Sequence, residues 1–220
     1  MIKKLIKHKN IILIIITILI IRSFIIEPFR IPSGSMIPTL LPGDFILVNK
    51  FCYGIKIPII NKKILNINKP QKGDIIVFIH KNKKKYIKRI IGIEGDKLEY
   101  KNKKLKINNI KIKNKKLSKN IDIDKMFIIE TVIYKEFLTP QKEYNIQKYE
   151  NIENYNTDIE IEIPKNSFFV MGDNRDNSED SRAWGFVNEK DLIGKAIIIW
   201  GSIDLDNYII RKDRIIKKIK

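Results

Sequence analysis

A chain of 220 residues has room for one domain of ordinary size and an appendage, and its formal charge of +18 raises the question of a nucleic-acid partner. That charge is carried by 36 Lys and only 7 Arg, spread among Ile and Asn along the whole length. It describes a solvated lysine surface attracted to anionic lipid headgroups, without the Arg-rich face that reads nucleic acid, and no nucleic-acid partner is expected. The single Cys52 excludes an internal disulfide and a Cys-based zinc site, and two scattered His (His8, His80) speak against a metal centre, so no cofactor or metal is expected.

In chain order, residues 1–9 form a basic head with four Lys. The apolar run that follows, within residues 10–26, is expected to be a retained transmembrane anchor. Its uncharged stretch is short for a span, but Lys7, Lys9 and Arg22 can snorkel and no small-residue cleavage site follows closely. The basic head would then stay cytoplasmic and the remainder be exported, single-pass, across a lipid bilayer. Phe24 to Leu40 is read as extended through Pro28, Pro32 and Pro38.

Three Gly-Asp pairs, Gly43-Asp44, Gly73-Asp74 and Gly95-Asp96, each adjoin a β-rich run. The runs are Phe45–Val48, Ile75–Ile79 and Tyr86–Glu94, and together they indicate a mainly β domain of short strands. From Asp96 to Met171 there is no glycine. Residues 97–163 are read as an inserted, low-complexity β subdomain: hairpin strands near Leu105–Ile112, a strand at Phe127–Phe137, and a polar, partly disordered stretch at Gln141–Thr157. Order resumes with strands at Ser167–Met171 and Ala196–Trp200, which complete a catalytic β core of residues 27–96 and 164–204. Residues 205–220 are a basic tail.

Ile31-Pro32-Ser33-Gly34-Ser35-Met36-Ile37-Pro38 is the most constrained backbone in the chain, because Pro fixes φ and Gly34 permits what other residues cannot. A rigid turn presenting Ser35 suits a nucleophile, and it equally suits an ordinary tight loop. If Ser35 is a nucleophile it needs a base. His8 would lie across the membrane and His80 lies among lysines, which leaves a lysine neutralised by desolvation. Lys88, in the apolar run Tyr86-Ile87-Lys88-Arg89-Ile90, fits best. Arg89, Arg175 and Arg182 stand out in so Lys-rich a chain, and suggest planar bidentate pairing that Lys cannot reproduce.

The segments Pro32–Leu40, Gly43-Asp44, Tyr86–Arg89 and Gly172-Asp173-Asn174-Arg175-Asp176-Asn177-Ser178-Glu179-Asp180-Ser181-Arg182, in this order after one apolar segment, resemble bacterial type I signal peptidase (leader peptidase), a family of Ser–Lys peptidases. The resemblance covers about Arg22–Tyr53, Gly73–Tyr100 and Pro164–Trp200. It implies a coiled β-sheet catalytic domain of the signal-peptidase type and a membrane-bound endopeptidase that cleaves signal peptides from exported preproteins. It implies Ser35 as nucleophile, Lys88 as general base, Ser33 in the oxyanion hole, and Ser178 and Asp180 in support of the lysine. Arg89 with Asp173, and Arg182 with Asp180, would be structural ion pairs. Phe29, Ile31, Met36, Leu40, Tyr86 and Ile87 would line the pockets for small substrate side chains.

The resemblance further implies the bacterial inner membrane, with the catalytic domain on its outer, periplasmic side near the export translocon. Glu94 stands where the family usually has Pro. A self-cleaving, DNA-binding Ser–Lys regulator finds no room for its DNA-binding domain in the first 26 residues. The remaining alternative is a non-catalytic, membrane-tethered β module that binds exported chains or anionic lipid.

Overall fold

The computed structural model of the chain describes residues 11, 13, 26–56, 63–65, 67–124, 127–150 and 158–219. The expected anchor, 10–26, lies almost wholly outside the described residues. Among those described, no helix is long and apolar enough to cross a membrane.

The described part is mainly β and antiparallel. Its strands are β1 (Ile26–Arg30), β2 (Asp44–Asn49), β3 (Ile55–Lys56), β4 (Lys63–Leu65), β5 (Ile75–Ile79), β6 (Lys85–Ile93), β7 (Lys97–Lys101), β8 (Lys104–Ile107) and β9 (Ile110–Lys111). They continue with β10 (Lys113–Asp124), β11 (Phe127–Thr139), β12 (Lys142–Tyr149), β13 (Ile159–Glu162), β14 (Ser167–Met171), β15 (Val187–Asn188), β16 (Leu192–Ser202) and β17 (Lys217–Lys218). One large sheet runs β1-β2-β16-β5-β6-β14-β15, with β17 on β16. Residues 97–163 supply a three-stranded sheet, β10-β11-β12, and the strands β7, β8, β9 and β13 of a four-stranded one.

The Gly-Asp pairs at 43–44, 73–74 and 95–96 build the same turn three times. Gly43, Gly73 and Gly95 have φ of 88°, 89° and 83°, the positive value that the third residue of a type II turn demands. Each following Asp donates its N–H to the carbonyl three residues back, at 3.0, 3.1 and 3.0 Å for Asp44, Asp74 and Asp96. Each also accepts the N–H of that same residue on its carboxylate, at 2.8, 3.1 and 2.9 Å. Glu94 does not prevent the third turn, and its carboxylate accepts the Asn166 N–H at 2.7 Å.

Two expectations are corrected. The stretch expected to be polar and partly disordered, Gln141–Thr157, contains β12, where Tyr144, Ile146, Gln147 and Lys148 are all buried. Residues 151–157 lie outside the described set. The basic tail, 205–220, is not simply a tail: Arg214 is buried, β17 pairs with β16 at Ile198 and Ile199, and Ile219 packs on the core. Polar burial explains both misreadings, because a charged side chain buried against a partner leaves no apolar periodicity in the sequence.

Three apolar clusters hold the fold. One joins Ile31, Met36 and Leu40 to Ile46, Val48, Ile75, Val77, Ala196 and Ile199. A second shares Ile91, Phe169 and Met171 of the large sheet with Leu98, Tyr100, Leu105, Leu138, Tyr144 and Ile146. The glycine-free block is therefore fastened to the large sheet by a common core. The third surrounds Ile76, Phe78, Ile90 and Val170.

Asp44, wholly buried, ties the ends of the described chain together. Its carboxylate accepts from Arg214 at 2.6 and 3.0 Å and from the Ser202 hydroxyl at 2.7 Å. Replacing Asp44 by Ala strands a buried guanidinium and should cost about 3–5 kcal/mol in urea unfolding. Glu162→Ala, which breaks the exposed pair with Lys97 at 3.9 Å, should change stability by less than about 1 kcal/mol.

Candidate active site

The turn that presents Ser35 follows β1. Gly34–Met36 form one turn of 3₁₀ helix, closed by Ile37 N–H to Gly34 C=O at 3.1 Å and Leu40 N–H to Met36 C=O at 2.9 Å. Met36 and Leu40 are fully buried beneath it and Ile31 is almost so. Ile31 is pinned to the first Gly-Asp turn through Asp44 C=O and the Gly43 N–H, at 2.8 and 2.9 Å. Apolar side chains thus anchor the turn from below and leave the Ser35 hydroxyl on top.

Lys88 reaches that hydroxyl from β6. Its Nζ donates to Ser35 Oγ at 2.6 Å, and the residue is 4% exposed. Burial pushes the amine down to about 8; the carboxylates of Asp180 and Asp173 oppose the shift and Arg182 assists it. Disfavouring the charged form to that extent corresponds to roughly 3 kcal/mol. A depressed lysine is not diagnostic alone, since burial pushes Lys148 to about 8 as well. Lys148, however, donates to the Lys103 carbonyl at 2.7 Å, a group with no nucleophilic chemistry.

The loop after β14 closes the site. Gly172 N–H donates to Asp180 Oδ2 at 2.9 Å, and Arg182 grips the same carboxylate with Nε and Nη2, both at 2.8 Å. Burial would raise the Asp180 carboxyl, but Arg182 and the Gly172 N–H hold it below the usual carboxylate range. Arg89 grips Asp173 in the same forked way, at 2.8 and 2.7 Å, and lies over the Tyr144 ring with its guanidinium carbon 3.7 Å from the centroid. Such planar, two-pronged contacts are beyond a lysine.

A Cβ on Gly172 would stand 2.3 Å from Ser178 Oγ and 2.4 Å from the Ser35 carbonyl oxygen. Only glycine lets the two segments approach so closely.

The structure brings Ser35, Lys88, Asp173, Ser178, Asp180, Arg89 and Arg182 into one site. It does not make every expected contact. Ser178 Oγ is buried beside the Asp180 carboxylate, and the expected bond from Ser178 to the lysine is not formed. Ser33 is exposed at the start of the turn, in extended backbone, and its side chain does not cap it.

The expected apolar pocket is divided. Phe29 and Ile87 pack with Ile31, Met36 and Leu40, whereas Tyr86 packs in the third cluster, stacked on Phe78 with ring centroids 6.2 Å apart. Consecutive residues of a strand face opposite ways, so Tyr86 lies on the Lys88 side of β6 and Ile87 on the other.

Sequence reasoning missed Thr39 and Asn174. The Thr39 hydroxyl donates to Asp173 Oδ2 at 2.5 Å, and Asn174 holds the serine turn from the other side. Both lie inside the segments that carried the resemblance, and nothing in residue type alone distinguished them.

A protein-family model described as signal peptidase, peptidase S26, matches residues 2–201. A signal peptidase I of Buchnera aphidicola subsp. Schizaphis graminum is 44% identical over 223 residues, covering 85% of this chain and 72% of the relative. That of Pseudomonas aeruginosa is 40% identical over 202 residues, covering 86% of this chain and 69% of the relative. The solved structure of a signal peptidase I from Enterococcus faecalis is 28% identical, covers 59% of this chain and 98% of its own, and superposes with a TM-score of 0.38. The chain with the Ser35–Lys88 contact belongs to the signal peptidase family, peptidase S26.

Proposed function

We propose that this chain is a serine endopeptidase that removes N-terminal signal peptides from exported preproteins, with Ser35 as nucleophile and Lys88 as general base. The observation that carries the reading is the 2.6 Å contact between a buried amine and a turn-borne hydroxyl. A protonated lysine could only donate to Ser35. A lysine pushed to about 8 is neutral often enough near neutral pH to take the hydroxyl proton.

Attack of Ser35 Oγ on the scissile carbonyl passes that proton to Lys88 Nζ. The ammonium then protonates the leaving amine, and the neutral amine activates water to release the acyl group. Asp180 and Asp173 stabilise the transient ammonium without holding it permanently, because each is already engaged by an arginine. Ser33, beside the turn, would lend its hydroxyl to the oxyanion, and Phe29, Ile31, Met36, Leu40 and Ile87 would form the apolar floor for small side chains. The division into core, inserted block and basic tail is part of this reading. So are the anchor at 10–26, the outer face of the inner membrane as the place of action and the proximity to a translocon; these rest on the sequence. The non-catalytic module is disfavoured by family membership, and a passive binding surface has no need of a desolvated lysine against a serine.

Ser35→Ala and Lys88→Ala should each abolish cleavage of an exported precursor by detergent-solubilised enzyme, with folding intact by circular dichroism; residual turnover near the native rate in either would sink the dyad. The pH profile supplies a second test. The active form is the neutral amine, so activity should rise with pH and level off above about 8. At pH 7 roughly one tenth of the amine is neutral, and below that the rate should fall about tenfold per pH unit. A rate independent of pH between 6 and 9 would exclude Lys88 as base. Gly172→Ala should likewise be inactive, because its methyl group would push the Ser35 carbonyl and Ser178 apart.

A further inference from the structure

Asn174 takes no part in the Ser–Lys chemistry, yet it is 1% exposed and bonded to the two carbonyls that flank the nucleophile. Its side-chain Nδ2 donates to Gly34 C=O and its backbone N–H donates to Ser35 C=O, both at 3.1 Å. The Gly34 carbonyl fixes which way the amide points, and leaves Asn174 Oδ1 buried without a partner. A buried acceptor left unpaired is a cost that structures tolerate mainly where geometry matters more than stability.

Asn174 is itself held by the inserted block. Gln147 of β12 lies beside it in a parallel bridge. The Gln147 N–H donates to Asp173 C=O at 2.8 Å, and the Arg175 N–H donates back to Gln147 C=O at 2.9 Å. The two bonds straddle Asn174, so β12 fixes the backbone on either side of it. Next along the loop, the Arg175 guanidinium grips the buried Glu136 carboxylate of β11 through both oxygens, and the Tyr144 hydroxyl donates to that carboxylate at 2.8 Å. A continuous chain of hydrogen bonds therefore runs from β11 and β12 to the carbonyls on both sides of the Ser35 side chain.

We propose that Asn174 is a positioning residue for Ser35, and that the glycine-free block, through β12, sets where the serine hydroxyl stands relative to Lys88. The proposal rests on Ser35 being the nucleophile. It gives residues 97–163, which carry no reacting group, a part in the rate: displacement of a reacting atom by an ångström can lower turnover on the order of a hundredfold while substrate still binds.

The test uses the full chain in detergent, with Asn174→Ala, the near-isosteric Asn174→Asp, Arg175→Lys, and the Asn174→Ala/Arg175→Lys pair. For each, kcat and KM on an exported precursor, the rate of Ser35 labelling by a serine-directed acylating reagent, the pH profile and the thermal midpoint are measured. Both Asn174 variants should lose about ten- to a hundredfold in kcat and in labelling rate. KM should stay within about twofold, since no substrate contact is removed. In Asn174→Ala the pH midpoint should stay near about 8, since no charge near Lys88 is added or removed, whereas Asn174→Asp adds a carboxylate and should move it upward. Arg175→Lys should lower kcat, and the pair should lose less than the product of the two single losses, because both act on one loop. Unchanged kcat in the Asn174 variants, a change confined to KM, a rate loss that follows thermal unfolding, or failure of both variants to fold would overturn the proposal and assign Asn174 to stability alone. Ser35→Ala is the control: cleavage by that variant would remove the nucleophile reading itself, whereas an inactive Ser35→Ala beside fully active Asn174 variants removes only this inference.

Discussion

A lysine that works as a base must be buried enough to shed its proton and still have carboxylates near enough to stabilise its charge when it takes one up. These demands conflict, because a bare carboxylate next to Lys88 would restore its charge and turn the dyad into an ion pair. The conflict is eased by giving the two carboxylates that weigh most on Lys88 partners of their own: Asp180 is forked by Arg182, and Asp173 by Arg89. Burial is then the largest influence on Lys88. The two arginines thus keep these carboxylates from pairing outright with the buried amine.

The sheet order follows from the same need. Lys88 lies in β6, flanked by β5 and by β14, and the loop that carries Asp173 and Asp180 leaves the end of β14. The serine turn is held down by the apolar cluster under Met36 and Leu40, and tethered to that loop by Asn174 and Thr39. The serine turn, Lys88 and the loop beside them come from three distant parts of the sequence. Each is fixed by packing or by backbone bonding to its neighbours, so that little is left to side-chain freedom. The inserted block belongs to this arrangement because its apolar residues share one cluster with Phe169 and Met171 of β14.

Strands that follow the Gly-Asp turns were legible because turn and strand speak through independent signals, the glycine through positive φ and the strand through its run of branched apolar residues. Ile75–Ile79 and Ser167–Met171 have the bounds expected from sequence. The Ser35–Lys88 contact could be anticipated mainly because so few histidines and arginines occur in this composition. Strand β12 was not legible. Its buried positions include Gln147 and Lys148, and the charge of the equally buried Glu136 opposite is met by Arg175, which the sequence places far away. Burial through mutual pairing has no periodic apolar signature, so it cannot be seen until both partners are in space.

The Asp44–Arg214 contact spans 170 positions of the sequence, and β17 completes the edge of β16 where β5 leaves off. A contact of that span imposes an order of events on a chain made from its N-terminus and, in the proposed reading, threaded outward across a membrane. The floor beneath the serine turn includes Leu40, whose neighbour Thr39 offers its carbonyl to Arg214 at 2.9 Å. Until residues 211–219 have arrived, the buried carboxylate of Asp44 has no guanidinium and the catalytic sheet stays open along one side. Long-range closure of this kind is slow compared with the local turns that precede it. Formation of the buried Asp44–Arg214 pair and of the β16–β17 edge accordingly belongs among the later steps by which this sheet is closed.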